Sequence, residues 1–189
     1  MDTTELVQHL LEQRLTTLAL ADQIGDERWR EPALPGGSLH DVLAHLLGWD
    51  EWAMAVFDIS AVRALPDALV DALKDADGYN ARSQKRYAKL SRDDLLSGLQ
   101  TITPRLLASA TNRNAPQWDG RRIAELGDVW AQLTSSPHGP RAPSVKGLLR
   151  MIYEHEKEHD EEISQGFGIS ADLDRFKPQS ATGGAPEDA

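Results

Sequence analysis

Apolar residues recur three and four apart along most of this chain, and no stretch shows the period of two that a half-buried strand requires. From Thr3 to Gln23, Leu6, Leu10, Leu11, Leu15, Leu18 and Leu20 keep a broad stripe and predict an amphipathic helix. Gly25 and the turn-rich segment Glu31-Pro32-Ala33-Leu34-Pro35-Gly36-Gly37 end it. Ser38, with Asp41 three residues on, forms a capping box and opens a second helix running to about Phe57. Pro66 suits the first turn of a third helix, carried by Leu69, Leu73, Tyr79 and Tyr87 to Leu90, in which Gly78 marks a bend or a helix start. Ser91 and Asp94 form a second capping box, before a fourth helix through Leu95, Leu99, Ile102, Leu106 and Leu107. Pro104 inside that helix predicts a kink or a break.

A shorter helix from Arg121 to Leu133, containing Gly127 and Trp130, precedes the irregular stretch from Ser135 to Pro143. Ser144 then caps a last helix that carries Leu148, Ile152, His155, His159 and Ile163 at helical spacing. There is no internal repeat. The pattern predicts an all-α fold, an up-and-down four-helix bundle with short accessory helices over residues 1–168. Residues 169–189, polar and rich in Gly and Pro, are expected to be a tail without fixed structure.

Composition narrows the chemistry more than the fold. The chain has 189 residues, enough for one ordinary domain, with 40% hydrophobic and 26% charged residues. A formal charge of -10 repels phosphate backbones and anionic lipid, so neither nucleic acid nor a membrane surface is an expected partner. The N-terminal sequence has no basic n-region and no unbroken apolar run, which predicts a cytoplasmic protein without a signal peptide or membrane span. Cysteine is absent, so disulfides, thiolate nucleophiles and Cys-ligated metals are excluded. A metal must sit on histidine, carboxylate and water, and any thiol chemistry must use a thiol from outside.

That directs attention to Tyr153-Glu154-His155-Glu156-Lys157-Glu158-His159-Asp160. Histidines four apart on a helix point the same way and can grip one divalent cation if a third ligand arrives from elsewhere. His45 is the candidate, because Val42, His45, Trp49 and Trp52 share one stripe of the second helix. Taken alone, a histidine there is either a hydrogen-bonded core residue or a ligand. His9 reads as a surface or edge residue, and His40, in a first turn, is expected to face solvent or a helix start. The letters also fit H-E-x-x-H, which would make Glu156 the base of a metalloprotease. Lys157 and Glu158 at the intervening positions, Glu162 where the metzincin extension has glycine, and the lack of a strand to hold a peptide all count against that reading. Trp49, Trp52, Trp130 and Tyr153 are candidates for an apolar substrate pocket, and Arg121, Arg122 and Arg141 for contacts to an anionic substrate.

The segment Leu39-His40-Asp41-Val42-Leu43-Ala44-His45-Leu46-Leu47-Gly48-Trp49-Asp50-Glu51-Trp52 resembles the second-helix signature of the DinB/YfiT-like four-helix-bundle superfamily. His155 to Ile163 resembles its H-x-x-x-H last helix. Gly78-Tyr79-Asn80-Ala81-Arg82 and Leu90 to Leu96 resemble its third helix and the following turn. The resemblance implies a divalent metal, zinc or nickel, held by His45, His155 and His159. It also implies thiol-dependent transferase or isomerase activity using mycothiol, bacillithiol or glutathione, or hydrolysis of small electrophiles, and in many members a homodimer. The alternative, from another class, is a metal-stabilised stress-response or ligand-binding bundle without turnover. The chain shows no counterpart of the added C-terminal domain of mycothiol-dependent maleylpyruvate isomerases, which argues against that particular activity.

Overall fold

The computed structural model describes residues 3–60, 67–111 and 145–173. Among them are six α-helices and no strand: α1 (Thr3–Asp22), α2 (Leu39–Ser60), α3 (Asp67–Lys74), α4 (Ala76–Tyr87), α5 (Arg92–Thr111) and α6 (Val145–Phe167). The expected all-α bundle is therefore what forms, from the long helices α1, α2, α5 and α6 with α3 and α4 as accessories. The helix expected over Arg121 to Leu133, Trp130, Arg121, Arg122, Arg141, the caps Pro66 and Ser144, and residues 174–189 lie outside the described residues. None of the described helices is long and apolar enough to cross a membrane.

Both capping boxes are built as the sequence predicts. Ser38 N and Oγ donate to Asp41 Oδ2 at 3.0 and 2.6 Å, and Asp41 N returns a bond to Ser38 Oγ at 3.3 Å. Ser91 and Asp94 repeat the arrangement at 3.3, 2.6 and 3.1 Å. The single third helix expected after Pro66 is instead two, because the Asp75 carboxylate caps a new start by accepting from Gly78 N at 3.0 Å. Glycine at 78 lets that carboxylate approach the backbone closely, since a Cβ would have to push it aside. Of the kink or break expected at Pro104, the break does not occur: α5 continues through it. Leu99 and Ile102 before the proline and Leu106 and Leu107 after it are all buried, and this packing outweighs the one backbone bond that proline cannot make.

Two further expectations are corrected. Leu11 and Leu15 are 39% and 42% exposed, while Arg14, at 5%, takes the buried position between Leu10 and Leu18. His40 does not face solvent but is fully buried, with Nε2 3.3 Å from Leu90 O.

The helix directions follow from which residues meet. His40 approaches Leu90, and Leu47 lies against Gly98 further along, so α2 and α5 run side by side in the same sense. Gln13 meets Asp160 and Gln23 meets Ser170, so α1 runs along α6 in the same sense. Leu34 lies against Gly166 while His45 meets His155, so α2 and α6 oppose each other. The α2–α5 connection, which carries α3 and α4, thus returns along the bundle rather than turning at its end, so the expected up-and-down order is corrected: the bundle is all-α, but its two middle long helices are parallel.

The core is split. One apolar cluster gathers Leu6, Leu10, Trp52, Phe57, Leu106, Leu107, Leu148 and Ile152, and the other Leu20, Ile24, Leu43, Leu47, Leu95, Leu99, Ile163 and Phe167. On every long helix a polar residue lies between the two: Arg14 and Thr17 on α1, His45 and Asp50 on α2, Thr103 on α5, Glu156 and Asp160 on α6. All of these are buried. Burying polar groups this way is unfavourable unless they partner one another, and the candidate site lies in this layer.

Candidate metal centre

His45 comes to the centre on the inward stripe of α2, and His155 and His159 arrive one turn apart on α6 from the opposing direction. His45 Nε2 is 2.8 Å from His155 Nε2, which is 3.1 Å from His159 Nε2. The ligand atoms of all three lie within 4.8 Å of one another. They form the only metal-ligand group of three or more histidine, cysteine or carboxylate side chains found among the described residues.

The protonation pattern decides what such a cluster can do. Glu162, one turn beyond His159, has Oε2 2.7 Å from His159 Nδ1. A carboxylate accepts, so Nδ1 carries the proton and the Nε2 lone pair points at His155. His155 Nε2 faces both neighbours, and one N–H cannot serve two nitrogens. At least one of the two contacts therefore sets lone pair against lone pair, an arrangement unsuited to a closed hydrogen-bonded core and suited to a cation. Tetrahedral zinc with nitrogens at about 2.0–2.1 Å keeps its ligand atoms about 3.3 Å apart, near the separations seen here. Burial pushes His45 down to about 4, with His159 adding to the shift and Asn80 opposing it. Burial, then His159 and His45, push His155 well below the ordinary histidine value. Both are neutral near pH 7, the form that binds metal.

Trp49 stands edge-on to the site, its ring centroid 6.4 Å from that of His45 and 6.5 Å from that of His155. Its Nε1 donates to Asn80 Oδ1 at 2.9 Å, and Tyr79 packs on its ring at 4.8 Å while donating from its hydroxyl to Gly48 O at 2.7 Å. The other aromatic candidates stand elsewhere. Trp52, 2% exposed, backs Trp49 at 5.3 Å and donates to Leu69 O. Tyr153 packs against His9 at 5.9 Å, on a side of α6 about 160° around from His155 at 100° per residue.

Glu156 is turned away from the histidines toward α1. Its Oε1 lies 2.6 Å from Thr17 Oγ1 and 3.1 Å from Arg14 Nε, and the residue is 1% exposed. It is not placed to serve as the base of a metalloprotease. Arg14 Nη2 meets Asp50 Oδ2 at 2.6 Å, and Asp160 Oδ2 accepts from Gln13 Nε2 at 2.6 Å and lies 3.1 Å from Thr17 Oγ1. Thr17 has one hydroxyl proton for two carboxyl groups. Burial, opposed by Arg14, pushes Glu156 up to about 7, and burial with the neighbouring Glu156 does the same to Asp160. Burial also raises Asp50, with Arg14 drawing it back.

Sequence reasoning missed Glu162, Asn80 and this network. The first had a legible signal, because a residue three beyond a helical ligand lies one turn away on nearly the same face. The others depend on contacts between distant segments.

The described residues form an all-α bundle with a candidate three-histidine metal centre, as the DinB-like resemblance implies. A family described as the mycothiol maleylpyruvate isomerase N-terminal domain matches residues 6–136, and the chain belongs to it. The matched span includes His45 and stops short of α6. No curated protein and no solved structure matches the chain.

Proposed function

We propose that this protein is a divalent-metal-dependent enzyme acting on a small electrophile, with a low-molecular-weight thiol as cosubstrate. The observation that carries this reading is the convergence of three imidazole Nε2 atoms, with His159 Nδ1 paired to Glu162. His45, His155 and His159 would hold zinc or nickel. Bound there, the cation would supply positive charge that lowers the pKa of a coordinated thiol or water.

The remaining work falls to the chain's own residues. Glu162 holds the His159 tautomer and ring plane. Asn80 fixes the Trp49 indole, and Trp49 with Tyr79 forms an apolar wall that excludes water on one side of the site. The chain has no cysteine of its own, so a thiol nucleophile must be brought in. The family description names mycothiol, which supports this type of cosubstrate. Hydrolysis by the same centre is the related alternative within this reading.

The test is metal analysis of untagged protein reconstituted with zinc or nickel, followed by assays with mycothiol, bacillithiol or glutathione and a model electrophile. About one ion per chain and conjugation abolished by EDTA support the proposal. Less than half an equivalent of metal overturns it. Metal uptake with saturable ligand binding and no product would identify a binding protein instead.

A further inference from the structure

The two helices that supply all three imidazoles share a second buried connection, made through a helix that supplies none. Arg14 of α1 reaches Asp50 of α2 at 2.6 Å with Nη2 and Glu156 of α6 at 3.1 Å with Nε. Asp50 lies five residues beyond His45, and Glu156 adjoins His155. Thr17 and Gln13, also on α1, hold Glu156 and Asp160, and Asp160 adjoins His159. On α6 the acidic pair is turned by about 100° from the histidine pair, so one helix presents ligands on one face and anchors on the next.

This network is hard to explain as a device for stability. Arg14, Asp50 and Glu156 are each no more than 5% exposed, and removing charges from water offsets most of what their pairing contributes. Arg14 Nε and Nη1, Glu156 Oε2 and Asp160 Oδ1 have no hydrogen-bond partner among the described residues, so Arg14 meets Glu156 as a close charge contact rather than a hydrogen bond, which adds to the cost. Apolar side chains of similar volume would join the two apolar clusters into one continuous core. What they could not reproduce is direction. One guanidinium, hydrogen-bonded to Asp50 and held in charge contact with Glu156, ties α1, α2 and α6 together at one level, whereas apolar contacts tolerate sliding of one helix past another.

We infer that the Arg14–Asp50–Glu156 network is a positioning device for the metal centre: it sets the register of α6 against α2 so that His155 and His159 meet His45. None of its members need touch the cation. The inference rests on the proposed metal site and adds three positioning residues to it, Arg14, Asp50 and Glu156.

The experiment compares zinc affinity, by competition with a chromophoric chelator, with thermal stability of the metal-free protein. The first variant is the apolar replacement Arg14→Met/Asp50→Leu/Glu156→Met. The second is Arg14→Lys, which keeps charge and approximate length but removes the fork. A positioning role predicts that both remain helical, that the triple variant melts at or above the wild-type temperature, and that each binds zinc about 10–100-fold more weakly, the range typical of residues that orient metal ligands. The visible spectrum of bound cobalt should change as well, because the coordination geometry relaxes. Zinc affinity within about threefold of wild type in a folded variant, with an unchanged cobalt spectrum, overturns the inference. If the triple variant does not fold, the lysine variant decides on the same criteria. Wild-type protein that takes up no zinc would remove the metal reading itself. Normal wild-type uptake with normal uptake by the variants removes only the positioning role.

Discussion

His159 and Glu162 form a paired unit on α6, with 2.7 Å between Nδ1 and Oε2. The pairing commits the ring to one tautomer and leaves Nε2 as the only nitrogen free to bind a cation. Glu162→Ala should therefore weaken zinc binding about 10–100-fold while leaving helicity unchanged, as measured by chelator competition and circular dichroism. Equal affinity in the variant would show that the tautomer is not set by this contact.

The three imidazoles should act as a unit. His45→Ala and His159→Ala should each reduce the metal retained after reconstitution to less than half an equivalent per chain. Plasma emission spectroscopy on desalted protein gives the number directly. Retention of a full equivalent by either variant would exclude that residue as a ligand.

Trp49 offers an optical report, since its ring centroid lies 6.4 and 6.5 Å from those of His45 and His155. Nickel titrated into metal-free protein should quench tryptophan fluorescence to a saturation point at one ion per chain. Trp49→Phe should remove most of that quenching without altering nickel affinity measured calorimetrically. Quenching that survives in Trp49→Phe would mean that another indole reports on the metal.

The pH dependence of folding can be tested away from the metal centre, at His40. Burial is the main cause holding its folded pKa below the ordinary value of 6.5, with Arg30 adding and the Leu90 carbonyl opposing. A depressed folded pKa means that the unfolded chain binds more protons once the pH falls below about 6.5, so folding stability drops with acidification through that value. His40→Gln removes this linkage. In urea unfolding of EDTA-treated protein at pH 7.5 and 5.0, the variant should lose less stability than wild type. Parallel losses would show that His40 does not titrate differently in the two states.

Gly48 faces α4 so closely that an added Cβ would stand 2.8 Å from Ser83 Cβ and closer still to its hydroxyl. Gly48→Ala should destabilise the fold by about 1–3 kcal/mol, the usual range for forcing an extra group into a packed contact. It should also loosen Trp49, because Tyr79 and Asn80 ride on the displaced helix. Thermal melting and the fluorescence maximum of Trp49 would show both effects. An unchanged melting temperature would mean that Ser83 moves aside at little cost.

The sequence was most informative where structure is local. Both Ser-to-Asp capping boxes span three residues, and the His155–His159 pair spans one helical turn, so spacing alone defined them. His45 was legible because its stripe had to face the core, where an unpaired imidazole is unfavourable. Arg14 was missed for the opposite reason. Leu10, Arg14 and Leu18 do share a face, but Leu11 and Leu15 offered a more apolar alternative stripe, and only Asp50 and Glu156, 36 and 142 positions away, make the arginine inward. His40 was misplaced because a first-turn residue is usually exposed, whereas the α4–α5 turn covers this one at Leu90. Helix direction was likewise beyond periodicity, which is the same for either sense of the chain.

The span between His45 and His155 has a consequence for the order of assembly. These partners are 110 residues apart. At about 5–20 residues per second, synthesis of that interval takes roughly 5–20 s. During that time a nascent chain displays His45 without its partners. If the three imidazoles bind a cation, full affinity must wait until α6 has been made and has docked, so metal loading would report that docking.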